Sequence, residues 1–280
     1  MTHNSFGGII LINLIRFSAS TLAIILMAAF SFTANAAVTF EGFYKITRGG
    51  QHTGFFIARK ETTAAGMKLT DYFSDGKETA MSVYEVGPKF NPLSASSRYR
   101  GVGPTLSTSG RVSGRTYSIT KTIEAGVKAS EQLNLTLPGD VYFDIFLPDY
   151  IKMTKGGFPL GTKMVVIRLV DEPGVLVSDI SLTAGDPVGP HKTTKIDVRP
   201  KDAEEPITFF VTAEGEIARI LIRGLRYDLV PSLSEAVGKI PADMSDITAT
   251  FGTMPKGLNK VLTAPAPTTA AAPAAPAAKK

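Results

Sequence analysis

Hydrophobic and polar residues alternate with a period of two along most of the chain, the pattern of strands that turn one face to a core. In Val38-Thr-Phe-Glu-Gly-Phe-Tyr-Lys-Ile-Thr47, Val38, Phe40, Tyr44 and Ile46 fall on one face and Thr39, Glu41, Lys45 and Thr47 on the other. Arg48-Gly-Gly-Gln51 follows as a turn, because glycine reaches the positive φ of tight hairpins at little steric cost. Residues 52–61 form the return strand, with Phe55 and Ile57 opposed to Phe56 and Ala58. The unit then recurs. Segments 67–74 and 78–86 flank Asp75-Gly76, a strong hairpin signal. Segments 117–123 and 131–137 are joined around Gly126, 162–170 and 175–183 flank Asp171-Glu-Pro-Gly174, and 207–213 and 216–223 meet at Glu214-Gly215. With no long helical pattern between the hairpins, the chain from Ala37 to about Val230 predicts one antiparallel β-domain.

Three stretches break the rhythm. Residues 141–153 are densely apolar and contain Pro148, which predicts a short helix or covering loop rather than a central strand. Residues 232–239, after Pro231, are a second helical candidate inside a C-terminal extension, 231–262. Residues 87–114, rich in Gly, Ser and Pro, read as a long connection with one short strand near 95–100. From Thr263 the chain is almost entirely Ala, Pro and Thr, ending in Lys279-Lys280. Such a tail cannot offset the entropy of folding and reads as disordered. In polyproline II form it would reach on the order of 50 Å at about 3.1 Å per residue. Either it is a passive solubilising tail, or it is a spacer whose terminal lysines touch cell-wall polymer or anionic lipid.

The start of the chain carries an address. Arg16 precedes an apolar run from Phe17 to Phe32, and Ala34-Asn-Ala36 supplies the small-x-small pattern of a signal-peptidase site. That run is about 16 residues, short of the roughly 20 a membrane-spanning helix needs. Extending it back to Phe6 would bury Arg16 in mid-bilayer. Residues 1–36 are therefore expected to be a cleaved leader that meets the membrane only in transit, releasing a soluble periplasmic protein.

Composition closes several chemistries. The 280 residues include no Cys and no Trp, which excludes disulfides, thiol nucleophiles, cysteine metal sites and a lipidated N-terminal cysteine. The formal charge is +5 with basic residues scattered, so nucleic acid is a poor partner. No Gly-x-Ser-x-Gly elbow, phosphate-binding loop or His-Glu-x-x-His site occurs. His52 lies in a hairpin and His191 in the loop Gly189-Pro-His-Lys192, both read as solvated turn residues. Asp140, Asp144 and Asp149 flank the apolar 141–153 segment, and a sugar-cleaving carboxylate pair among them would lack a tryptophan platform. No cofactor or metal is indicated, and the chain reads as a non-enzyme.

Four stretches resemble a family. Glu41-Gly-Phe-Tyr-Lys-Ile-Thr-Arg-Gly-Gly-Gln-His-Thr-Gly-Phe-Phe-Ile-Ala-Arg59 resembles the opening hairpin of bacterial envelope proteins grouped as domain of unknown function 3108. Residues 141–153 with Leu147-Pro148 resemble that family's apolar Leu-Pro segment. Phe158-Pro-Leu-Gly-Thr-Lys-Met164 resembles its entry into the next strand, and Thr212-Ala-Glu-Gly-Glu-Ile217 its late hairpin. The resemblance implies a strongly curved open sheet, a half-barrel like that of periplasmic lipoprotein carriers, with one or two short helices. It implies no catalytic residue.

Two functions follow as expectations. In the first, the chain binds an apolar ligand, a lipid, acyl chain or lipoprotein, in the concave face, with Phe40, Tyr44, Phe55, Ile57, Tyr72, Tyr84, Phe143, Phe146 and Phe209 as lining residues. In the second it is a structural or interaction protein of the envelope, working through exposed strand edges and the tail. An envelope hydrolase is a weaker third reading. The place of residues 141–153 separates the first two: across an open groove they favour a carrier, packed into the concave face they favour a scaffold.

Overall fold

The computed structural model describes residues 37–125, 127–154, 163–166, 174–201 and 205–257. The expected leader, most of the 158–164 motif, residues 258–262 and the Ala/Pro tail lie outside the described residues. Among those described, fifteen strands form a single sheet. The first eight are β1 (Ala37–Arg48), β2 (Gln51–Thr63), β3 (Gly66–Ser74), β4 (Thr79–Val86), β5 (Pro92–Arg100), β6 (Thr105–Ser113), β7 (Thr116–Ala125) and β8 (Val127–Thr136). After β9 (Val141–Tyr142) come a 3₁₀ turn (Asp144–Phe146) and helix α1 (Leu147–Met153). Then follow β10 (Lys163–Val166), β11 (Gly174–Val188), β12 (His191–Pro200), β13 (Ile207–Thr212), β14 (Ile217–Ile222) and β15 (Leu225–Val230), and helices α2 (Leu233–Val237) and α3 (Met244–Phe251).

The sheet order is β8-β7-β6-β5-β4-β3-β2-β1-β15-β14-β13-β12-β11-β10-β9. The chain walks outward from the centre to one edge, crosses to the other edge, and walks back until β15 pairs with β1. Every pairing is antiparallel except β9 with β10. The two edge strands β8 and β9 are neighbours in sequence but not in the ladder, so the sheet is open.

Local chemistry explains the elements. Gly49 and Gly50 take φ of 56° and 82° in the first turn. Asp75 Oδ1 accepts from the N–H groups of Lys77 and Glu78, both at 2.8 Å, fixing the Asp-Gly turn. Ser232 caps α2 by accepting from Glu235 N, and Asp243 caps α3 by accepting from Ser245 N and Asp246 N. The helical candidate at 232–239 is thus realised as α2. Helix α3 follows Pro241 and its Asp243 cap, signals that the sequence reading passed over when it took this stretch only as part of an extension.

Three expectations need correction. Residues 87–114 hold two full strands, β5 and β6, not one short one. At Gly110 of β6 the side chain is absent because Tyr117 of β7 lies over it; a Cβ there would stand 2.3 Å from the Tyr117 hydroxyl. Hydrophobicity supplied by a neighbouring strand leaves no signal in the strand it covers. His191 opens β12 rather than sitting in a loop. Among the described residues there are three α-helices and a 3₁₀ turn, where one or two short helices were expected.

Both faces of the central strands are buried. One face carries two clusters, the first including Phe40, Tyr44, Ile196, Phe209 and Ile220, the second including Leu69, Ala95, Tyr117, Ile119, Phe143 and Phe146. Ile145 packs against both. In a flat sheet the ten spacings from β7 to β12 would span about 48 Å at about 4.8 Å each. A seven-residue helix, about 10 Å long, could not join them. The sheet therefore curls around residues 141–153, and this face is concave. The opposite face carries a third cluster, Phe43, Phe55, Ile57, Tyr72 and Val230 beneath Ala236 of α2 and Ile247 and Phe251 of α3.

Candidate functional site

The concave face is the candidate site, and the 141–153 segment fills it. Pro148 occupies the first turn of α1, where its missing N–H costs no hydrogen bond. Phe143, Phe146 and Leu147 are 1%, 1% and 0% exposed. The Phe143 ring meets Tyr84 at 5.2 Å, and Phe90 meets Phe146 at 6.2 Å and Tyr150 at 6.4 Å. Burying three such side chains is worth roughly 1.5–3 kcal/mol each. The segment is a plug.

Polar ties hold it at its far end. Lys60 of β2, itself buried, forms an ion pair with Asp149 of α1 and lies between the rings of Phe40 and Phe146, at 5.9 and 6.0 Å. Lys152 Nζ donates to the carbonyl of Glu214 in the β13–β14 turn at 2.6 Å. Tyr142 donates to the Tyr150 hydroxyl at 3.2 Å, and Tyr44 to the Ile217 carbonyl at 2.9 Å. A second pair of carboxylates behaves differently. Asp71 of β3 is buried on the concave face; burial, reinforced by the charge of Asp144 and partly offset by hydrogen bonds from Ser82, pushes its carboxyl up to about 7. Burial likewise raises Asp144, against the hydrogen bond it accepts from Ile145 N. Burial, then Asp71 and Asp144, push the Tyr84 hydroxyl well above its ordinary range.

The nine residues expected to line the cavity divide between the two faces. Phe40, Tyr44 and Phe209 join the first concave cluster, Phe143 and Phe146 the second, and Tyr84 packs against it. Phe55, Ile57 and Tyr72 lie on the other side, under α2 and α3. The cause is a β-bulge. A regular two-residue hairpin from Arg48–Gln51 would set Phe55 opposite Tyr44, but the register slips between Ile46 and Thr47. Tyr44 consequently faces Phe56, Ile57 faces Phe43, and Tyr72 follows Ile57 across the next ladder. A one-residue slip sends every later side chain to the opposite face.

Sequence reasoning passed over Lys60 and Asp71, whose only signal was a charge at an inward position of an alternating strand. Among the aspartates flanking the plug, Asp149 pairs with Lys60 and Asp144 stands near Asp71, so the three do not assemble into a sugar-cleaving pair. His52 Nε2 contacts the Gly54 carbonyl at 3.0 Å. A recess of about 230 Å³ lies away from the plug, on the outer face of β4–β7, edged by Met81, Arg98 and the hydroxyls of Ser96, Ser107, Ser109 and Thr122. Among the described residues no group of three or more His, Asp and Glu side chains could hold a metal ion, and no helix is long and apolar enough to cross a membrane. No family model, curated protein or solved structure matches the chain.

Proposed function

We propose that the chain is an exported, non-catalytic interaction protein of the bacterial envelope, kin to the domain of unknown function 3108 proteins, that recruits a polypeptide partner by adding a strand at β8. The observation that carries this reading is the seated plug: the concave face is occupied by the chain's own Phe143, Phe146 and Leu147. Edge strand β8 supports it, being ten residues long and paired on one side by β7. Residues 129–134 of that strand are exposed, Leu133 at 39%. A row of free backbone donors and acceptors is a template for another strand.

The test is photo-crosslinking from position 134 in cells, combined with proline substitution at Gln132 and, separately, at Leu133. Alternation places one of those two N–H groups on the open side, where proline removes a donor the partner needs. A crosslinked polypeptide that disappears with one proline and persists with the other is the expected result. Loss with neither would sink the edge reading.

A second reading rests on a separate observation. Among the described residues the plug joins the ladder through the two residues of β9, and its departure would bare an apolar face including Phe40, Tyr44, Tyr84 and Phe209, interrupted by Lys60 and Asp71. In that reading an acyl chain displaces the plug, each buried CH₂ contributing about 0.8 kcal/mol. A lipid found at one-to-one stoichiometry by mass spectrometry of the protein extracted from its native envelope would establish it over the first.

A further inference from the structure

The interface between plug and sheet is apolar except where charges enter it, and one of those entries has no cation. Asp71 stands opposite Ala58 of the first concave cluster and two residues from Leu69 of the second. Asp144 precedes Ile145, the side chain that packs against both clusters. Asp71 thus lies on the sheet side and Asp144 on the plug side of the seam the plug closes, and the charge of Asp144 acts on Asp71. Among the described residues no Lys, Arg or His forms an ion pair with either. Among the described residues two lysines at the plug are already engaged, Lys60 with Asp149 and Lys152 with the Glu214 carbonyl. A buried carboxyl without a cation, facing a second and partly buried carboxylate, is favoured in its protonated form.

We propose that Asp71 and Asp144 form a proton-operated latch: residues 141–153 stay seated while the pair holds a proton and leave the concave face when both carboxylates ionise. The position of Asp71 near 7, set first by burial and then by Asp144, places the opening around neutrality. Other groups facing the plug do not imitate this behaviour. From the sheet, Tyr44, Tyr84 and Tyr117 are held protonated by burial and stay neutral across this range, and Tyr227 is pushed up to about 12. On the plug, Tyr142 is held protonated by burial and its contact with Tyr150, while Asp149 is compensated by Lys60. At the far end, Glu214 lies near Lys152 and His191, and Asp140 near Tyr142. His191, at that same end, serves as the control.

The latch is independent of whether the partner is a strand or an apolar ligand, and its test reads the plug directly. Hydrogen exchange of the full chain, followed by mass spectrometry from about pH 5 to about pH 9 and corrected for intrinsic rates, should show plug opening that grows up to about tenfold per pH unit through the transition, as one proton is released. Peptides from β1–β4 should keep their protection. Asp71→Asn and Asp144→Asn, each removing a charge at nearly constant shape, should keep 141–153 protected at every pH, while His191→Gln retains the step. Three results would overturn the proposal: plug and sheet losing protection together, no pH step in the unaltered chain, or a step that survives both Asn variants. A plug seated at every pH leaves the edge-pairing reading standing, and a failed crosslink at β8 leaves the latch standing.

Discussion

Glu41 is a carboxylate on the packed side of a central strand, and its surroundings show what it is for. It accepts from Arg59 Nε at 2.5 Å and from the backbone N–H groups of Lys256 and Gly257 at 2.5 and 2.6 Å. Arg59 in turn donates to the Phe251 carbonyl at 2.6 Å and lies 4.9 Å from that ring. The pair pins the segment after α3 to the sheet. Glu41→Ala leaves a buried guanidinium without its counter-charge and two N–H groups without an acceptor, and should cost about 3–5 kcal/mol in urea unfolding. A loss below about 1 kcal/mol, the range of an exposed pair, would show that the segment is held by something else. Asp71 is the opposite case, a buried carboxyl with no cation. Its folded value, about 7, stands above the ordinary 3.8. Its contribution is therefore fully present below about pH 4 and lost as pH rises through 7, on the order of 4 kcal/mol at about 1.4 kcal/mol per unit. Stability measured against pH should fall across that window, and Asp71→Asn should flatten the fall.

At the scale of elements, α2 and α3 decide whether the outer face is a core or a liability. They cover Phe43, Phe55, Ile57 and Tyr72, which the strands alone would present to water. A chain ending at Pro231 would expose a contiguous apolar patch on a protein whose hairpins are otherwise intact. It should bind a hydrophobic dye and scatter light at concentrations where the full chain does not; a clear, dye-silent fragment would show the helices to be dispensable. Within α3, Phe251→Ala removes both ring burial and the contact with Arg59 and should cost about 3–5 kcal/mol. The plug is a different kind of element. It makes one parallel bridge to the ladder and owes its place to side-chain packing, so conditions that change its few charges can act on it without unpairing the sheet.

At the scale of the molecule, the pairing of β1 with β15 joins residues 43–48 to 225–230 and links the two halves of the meander. The plug links them again from inside, since its residues belong to both concave clusters. Two such ties predict a single cooperative transition, with far-ultraviolet and near-ultraviolet dichroism changing together. Separate transitions would mean that the β1–β8 and β9–β15 halves unfold as independent units. Because the closing contacts are far apart in sequence, refolding should be slow, in milliseconds to seconds.

Alternation, glycine turns, the Asp-Gly hairpin, the prolines and the serine cap act over a few residues, so the sequence alone determined most of the strands and hairpins, the 141–153 interruption and helix α2, but not the β5–β6 pair. It did not determine which face a side chain meets. A single bulge near Thr53 moved Phe55, Ile57 and Tyr72 away from Phe40 and Tyr44, and a bulge is a property of the ladder, not of either strand. It likewise could not show that α3 helps bury β1 on both sides, that Tyr117 covers Gly110 of β6, or that the charge of Asp144 acts on Asp71. These depend on contacts between residues tens to hundreds of positions apart, and only the tertiary structure brings them together.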